Sequence, residues 1–183
     1  ETLFGGNVNF FHNGWHAGIT GFYTCFNREL KPSTTQLYRH WYPKGSQFWN
    51  ASIDYGYVSG RLNISGETAT GNCQQVATIN TISYQLTPTL TLIALQRYYP
   101  YQYYSLFSES FAEGGMEQNE SGVYLGGNWL IGRYMKLLFY TDYAWFAWPK
   151  YRISESSGSW DNMIQLTGQK ELWSWAFRYR IRA

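Results

Sequence analysis

Apolar and polar residues alternate with a period of two along most of this chain, the spacing that puts successive side chains of an extended strand on opposite faces. The pattern is cleanest near the C-terminus. Trp173, Trp175, Phe177, Tyr179 and Ile181 fall on one face there, with Ser174, Ala176, Arg178, Arg180 and Arg182 on the other. Between Arg133 and Phe146, Met135, Leu137, Phe139, Tyr143 and Trp145 alternate with Lys136, Tyr140 and Asp142. A third copy sets Trp49, Ala51, Ile53, Tyr55 and Tyr57 against Asn50, Ser52, Asp54 and Gly56. Shorter versions set Trp15, Ala17 and Ile19 against His16, Gly18 and Thr20, and Leu62 and Ile64 against Asn63, Ser65 and Glu67. The alternation predicts about ten strands, near residues 2–11, 14–26, 47–58, 60–70, 74–86, 88–99, 121–132, 133–146, 158–168 and 171–183. Most match the about 9–11 residues that cross a bilayer at a tilt, where soluble sheets use about 5–6.

The connections carry a second signal. Every second one is tight: His12-Asn13-Gly14, Ser59-Gly60, Thr87-Pro88, Gly132-Arg133 and Gly168-Gln169-Lys170. Between them lie Asn27 to Gln47, Gly71-Asn72-Cys73, Pro100 to Ser121 and Ala147 to Ser159, all long except the Gly71 connection. Outer-membrane barrels have this asymmetry, with short periplasmic turns and longer outer loops. Tight turns on the inside make the first strand run inward and the last run outward. A last strand running outward, and a first strand with no turn before it, read as a segment from the interior of a longer barrel. The expectation is one all-β domain over residues 1–183, an antiparallel transmembrane β-barrel that is an incomplete segment, in a bacterial outer membrane.

Composition supports that expectation and removes others. Aromatic residues make up 20% of the chain and charged residues only 14%, against roughly 25% charged in ordinary globular chains. No run approaches the roughly 20 apolar residues of a transmembrane helix, and the mean hydropathy is −0.40. Alternating strands escape such a scan because lipid-facing and interior residues interleave. The net charge of +2 is scattered except near the C-terminus and carries no polyanion-binding signal. Glu1-Thr2-Leu3-Phe4 lacks the basic and apolar regions of a signal peptide.

Candidate chemistry is sparse. His12, His16 and His40 form no metal pattern, and no nucleophile elbow, phosphate loop or dinucleotide fingerprint occurs, so neither an enzyme nor a cofactor is expected. Ser108, Glu109, Ser110, Glu113, Glu117, Glu120, Asp142 and Asp161 are the only set from which an acidic site at the outer rim can be drawn. The faces opposite the aromatic stripes carry Asp54, Glu67, Lys136, Asp142, Arg178, Arg180 and Arg182. Charges kept from water must pair, so these predict a polar network in the lumen that stiffens a barrel or lines a path for polar solutes. Tyr38, Trp41, Tyr42, Tyr98, Tyr99, Trp145 and Trp148 stand near strand ends and predict an outer aromatic girdle; they also suit stacking on sugar or a partner protein. Cys25 and Cys73 are one candidate disulfide, and two cysteines are equally a number that chance supplies.

Phe107-Ser108-Glu109-Ser110-Phe111, Asn119-Glu120-Ser121-Gly122-Val123-Tyr124 and Asp142-Tyr143-Ala144-Trp145-Phe146-Ala147-Trp148-Pro149, within Leu106 to Asn162, resemble the barrel region of large Bacteroidota outer-membrane proteins of the helix-hairpin-helix type. The resemblance implies an outer-membrane location and a longer parent chain, with DNA binding or uptake belonging to the parent's helix-hairpin-helix module. It transfers no functional residue to this chain. The function expected from the sequence is that of a channel, transport component or docking subunit of an envelope complex. Its expected partners are the lipid bilayer, lipopolysaccharide and other envelope proteins. A barrel enzyme with an acidic rim site and a soluble β-barrel binding protein are the rival readings.

Overall fold

The computed structural model describes residues 1–183 as a single antiparallel sheet of ten strands in chain order. They are β1 (Thr2–His12), β2 (Trp15–Leu30), β3 (Gly45–Ser59), β4 (Leu62–Gly71), β5 (Ala77–Thr87), β6 (Leu90–Tyr99), β7 (Glu120–Ile131), β8 (Met135–Phe146), β9 (Ser157–Lys170) and β10 (Trp173–Arg182). The one helical element is a 3-10 turn, Leu37–Arg39, and no helix is long and apolar enough to cross a membrane. All ten strands stand where the alternation predicts them. β2 runs furthest past its predicted end, to Leu30, because its register with β3 jumps between Cys25 and Leu30 and carries extra residues there.

The tight connections share one end of the sheet and the long ones the other, hereafter the turn end and the loop end. At the turn end, Asn13 (φ 46°) and Gly14 (φ 82°) both take the left-handed conformation that a two-residue hairpin requires, so β1 and β2 meet with His12 opposite Trp15. The pairing then continues without slip along a row that crosses the sheet: Phe11, His16, Gly56, Ser65, Thr81, Leu95, Tyr124, Asp142, Asp161 and Arg182. The row starts near the turn end of β1 and finishes at the loop end of β10. The strands are therefore strongly staggered.

Residues of that row share a face with every second neighbour, and the two faces differ in chemistry. One carries Asn7, Asn9, His16, Asp54, Glu67, Arg97, Asp142, Asp161, Arg178 and Arg180. The other carries Trp15, Ile19, Ile53, Ile82, Leu125, Tyr143, Trp160, Phe177 and Tyr179, all exposed. Only 18 of 183 residues are buried, so the apolar face has no layer packed on it. The polar face is the concave one, because the 100–119 connection lies against it and touches β2, β3, β7 and β10 through Phe107–Phe22, Tyr104–Phe48, Phe111–Tyr124 and Glu113–Arg182.

The sheet does not close. β1 and β10 are its two edges, every residue of both is exposed, and neither pairs with the other. Of the barrel segment expected from the sequence, the structure shows the all-β class and the ten antiparallel strands, in one sheet that is open at both edges.

Candidate functional site

The polar face divides into two halves. Near the loop end it is buried under connection 100–119; toward the turn end it is open, and a hollow of about 520 Å³ at the sheet's rim there is lined from this face by Lys136, Thr167 and Ser174.

The buried half is organised by Arg97, which stands on β6 with 1% of its surface exposed. Its side chain lies over Gly122, directly opposite on β7, where any larger residue would occupy the same space. The guanidinium grips Asp142 of β8 through two bonds, Nη1 to Oδ1 at 2.7 Å and Nη2 to Oδ2 at 3.2 Å. Its Nε donates to Glu120, which opens β7 and is 1% exposed. Glu120 in turn accepts the backbone N–H groups of Glu113 at 2.9 Å and Gly114 at 3.0 Å. One arginine thus ties three strands and the incoming connection into one charge-assisted network.

The connection is anchored elsewhere by the same kind of inward-turned group. Tyr99, the last residue of β6, donates to Phe111 O at 3.0 Å and meets Ser110 Oγ at 3.0 Å. Glu117 accepts from Ser108 Oγ at 3.1 Å and from the Ser110 backbone. Tyr103 is buried against Tyr99 and Ala77. That burial holds its phenol well above the ordinary tyrosine range, since a phenolate there would lose its hydration. Phe111 packs on Tyr124 and receives the Arg97 guanidinium 5.1 Å over its ring.

Above this plug the loop-end connections are stitched together. Asn119 and Trp148 exchange two hydrogen bonds of 2.7 Å, Trp148 Nε1 donates to Leu37 O at 2.8 Å, and Gln118 Nε2 donates to Tyr101 O at 2.9 Å and Trp41 O at 3.2 Å. Trp148 stacks on Tyr101 with centroids 5.2 Å apart. Lys150 Nζ sits 3.3 Å over the Phe146 ring, and burial holds its ammonium below the usual lysine range.

Each residue singled out from the sequence has a definite place. Asp142 is the partner of Arg97. Asp54 accepts from His16 Nε2 at 3.0 Å, over Gly18, whose missing side chain makes room for the Asp54 carboxylate and Asn9. Arg180 grips Asp161, Arg182 pairs with Glu113 of the plug, and Arg178 bonds Gln165. Glu67 and Lys136 lie exposed on the same face without a salt bridge. Of the aromatic set, Tyr98 and Trp145 stand exposed on the apolar face at the loop ends of their strands. Tyr38, Trp41, Tyr42 and Trp148 instead pack on one another, Tyr101 and Tyr151 in the loop-end cap. Tyr99 shares the parity of Arg97 and turns inward, so it anchors connection 100–119 and does not stand on the apolar face.

Cys25 and Cys73 are free. The parity of Cys25 puts it on the apolar face, while Cys73 packs against the Ala77–Tyr99–Tyr103 cluster under the plug, so the sheet itself separates the two thiols. Of the acidic set drawn as a rival site, Glu120 and Asp142 converge on Arg97, and Asp161, which holds Arg180, lies directly across from Asp142, while Glu117 holds Ser108 and Ser110.

Arg97 is the residue that sequence reasoning missed. No local signal marks it, since its two partners lie 23 and 45 residues away. The alternation also hides Asn80 and Gln96, which occupy apolar-face positions and form a hydrogen-bonded group there. No family model, curated protein or solved structure matches this chain.

Proposed function

We propose that this chain is a membrane-spanning β-barrel region of an outer-membrane protein. Its polar face lines a path for polar solutes, and connection 100–119 closes that path at the outer end. The function is that of a transport component whose conductance depends on moving or removing this plug. The observation that carries the reading is the pairing of an exposed, aromatic-rich convex face with a concave face holding the charges and the inward-folded connection. Water does not favour a continuous exposed apolar surface, and lipid does. The strands are long enough to cross, and the tight turns share one end, as in outer-membrane barrels. Hydrogen bonding within the sheet satisfies the interior strands, as a hydrocarbon medium demands.

The test is planar-bilayer conductance of the chain refolded in detergent. The intact protein is expected to be silent or nearly so. Deletion of residues 105–115, bridged by a short glycine-serine linker, is expected to open an ohmic conductance. A chain that stays monomeric and folded in buffer without detergent defeats the membrane reading. One that inserts but conducts equally with and without the plug defeats the gate.

A further inference from the structure

The charges of the polar face are treated differently at different depths. Toward the loop end the strand carboxylates are each held by an arginine: Arg97 takes Glu120 and Asp142, and Arg180 takes Asp161. Nearer the turn end the charges stand apart. Asp54 and Glu67 lie directly across from one another on β3 and β4 with no arginine bound to either. Asp54 has only His16, at 3.0 Å, and Glu67 makes no salt bridge. Arg178 bonds only the neutral side chain of Gln165. Like charges directly opposite on neighbouring strands oppose their pairing. A sheet that keeps such a pair while its arginines are placed elsewhere carries a local conflict of the kind that functional sites retain.

The acidic pair and the arginine left without an acid share one depth. Asp54 stands five residues before the end of β3 at Ser59, Glu67 five after the start of β4 at Leu62, and Arg178 five after the start of β10 at Trp173. Each count begins at a tight turn, and those turns share one end of the sheet, so equal counts mean equal heights above it. The stagger conceals this alignment in the pairing. The row that meets β10 at Arg182, nine residues above its turn, meets β4 at Ser65, only three above. All three side chains belong to the concave face, and connection 100–119 reaches both flanks of that face above them, through Tyr104 on β3 and Glu113 on β10. Lys136, without a salt bridge and one residue above its turn on β8, lies on the same flank as Arg178 and adds to its charge.

A band with acids on one flank and bases on the other directs its field across the path, not along it. A solute with one charge is drawn to one flank and repelled by the other. A solute with an ammonium at one end and a carboxylate at the other is held by both. We propose that this band selects zwitterionic solutes, the class of free amino acids and short peptides, with Asp54 and Glu67 taking the ammonium and Arg178 the carboxylate. The assignment rests on the transport reading above, in which the polar face lines the path.

The experiment is a saturation-transfer NMR titration of the full chain refolded in detergent, with triglycine as the zwitterion, triglycine amide as the cation and N-acetyltriglycine as the anion. The band lies below the plug and is reached from the turn end with the plug in place. Wild-type protein is expected to bind triglycine about fivefold more tightly than either analogue, the upper range for one exposed ion pair. Arg178→Gln is expected to bind triglycine no better than the amide, and Asp54→Asn with Glu67→Gln no better than the N-acetyl form. Arg178→Lys is expected to keep the preference, and Glu29→Gln, at the loop end of β2, to match wild type. Refolding of each variant is checked by circular dichroism. One reading needs no variant: in wild type the preference is expected to vanish in about 1 M sodium chloride, where the screening length falls to about 3 Å. Absent or equal binding of the three peptides, a preference that survives both neutralisations, or one indifferent to salt overturns the proposal. A chain that enters micelles and gives any of these results loses only the selectivity. One that remains soluble without detergent loses the barrel reading itself.

Discussion

Arg97 neutralises two carboxylates that have almost no access to water, Glu120 directly and Asp142 nearly so. Removing one member of such a group leaves the others charged and uncompensated, which costs about 3–5 kcal/mol. Arg97→Met is therefore expected to lower the urea midpoint of refolding in detergent by that equivalent, and adding Glu120→Gln and Asp142→Asn to recover much of the loss. A single variant with wild-type stability would show that the network contributes nothing. Tyr103 gives a pH signature of the same plug. Its folded-state ionisation lies above the ordinary 10.0 of an exposed tyrosine, so it contributes stability that is intact below about pH 10 and declines as the unfolded chain begins to ionise. Absorbance titration is expected to show phenol ionisation coupled to unfolding, and Tyr103→Phe to remove its share of the alkaline transition.

Several strand pairs use one packing device, a large side chain lying on the glycine directly across from it. On the apolar face Tyr55 covers Gly66, Phe139 covers Gly127 and Trp175 covers Gly168; on the polar face Arg97 covers Gly122 and Asp54 leans over Gly18. The glycine gives up a side chain, and the ring or charged group fills the vacated surface, which pins register. Gly168→Val is expected to displace the Trp175 indole and to destabilise by about 1–3 kcal/mol, as overpacking does, read from Trp175 fluorescence and the refolding midpoint. Gly6→Ala, where nothing lies within 4 Å, is expected to change neither.

The strands themselves were legible because alternation and tight-turn residues agree: Asn13-Gly14 marks its hairpin as clearly as Trp173 to Arg182 marks its faces. Connection 100–119 was not legible. Its tyrosines, serines and glutamates have the composition of a wet loop, and only the position of Arg97 beneath them turns Glu120 into an inward anchor. β5 misleads for another reason. Its polar-face positions include Ile79 and its apolar-face positions include Asn80, so local alternation reverses within one strand that stays in register throughout that stretch.

At the scale of the molecule the loop-end connections act as one lid. Trp148, Asn119, Gln118 and Leu37 belong to three different connections, yet share hydrogen bonds with donor–acceptor distances of 2.7 to 3.2 Å. A lid stitched in this way moves as a unit or is cut, so its opening is expected to be cooperative. On the proposed transport reading, the open half of the polar face would be the wall of the passage, with Asp54 and Glu67 on its early strands and Arg178 to Arg182 on its last.

The stagger of the strands has a geometric consequence for the two free edges. Arg182 lies level with Phe11 along the hydrogen-bonding direction. If β10 meets β1, the offset between Phe11 and the residue that receives Arg182 is the shear of the resulting cylinder. That offset must be even, because an odd one would set the arginines of β10 level with Phe4, Val8 and Phe10 on the apolar face of β1. For ten strands, an offset of about ten to twelve residues corresponds to a tilt of about 35–40°, the range that closed barrels adopt. An offset near ten brings Ser174 opposite Asn9, and one near twelve brings it opposite Asn7. A disulfide between S174C and N9C or N7C, formed within one molecule, is the outcome a self-contained ten-stranded cylinder requires. Bridges formed only between molecules, or none, would mean that each edge takes its neighbour from another set of strands, and that the curvature seen here belongs to a wider wall.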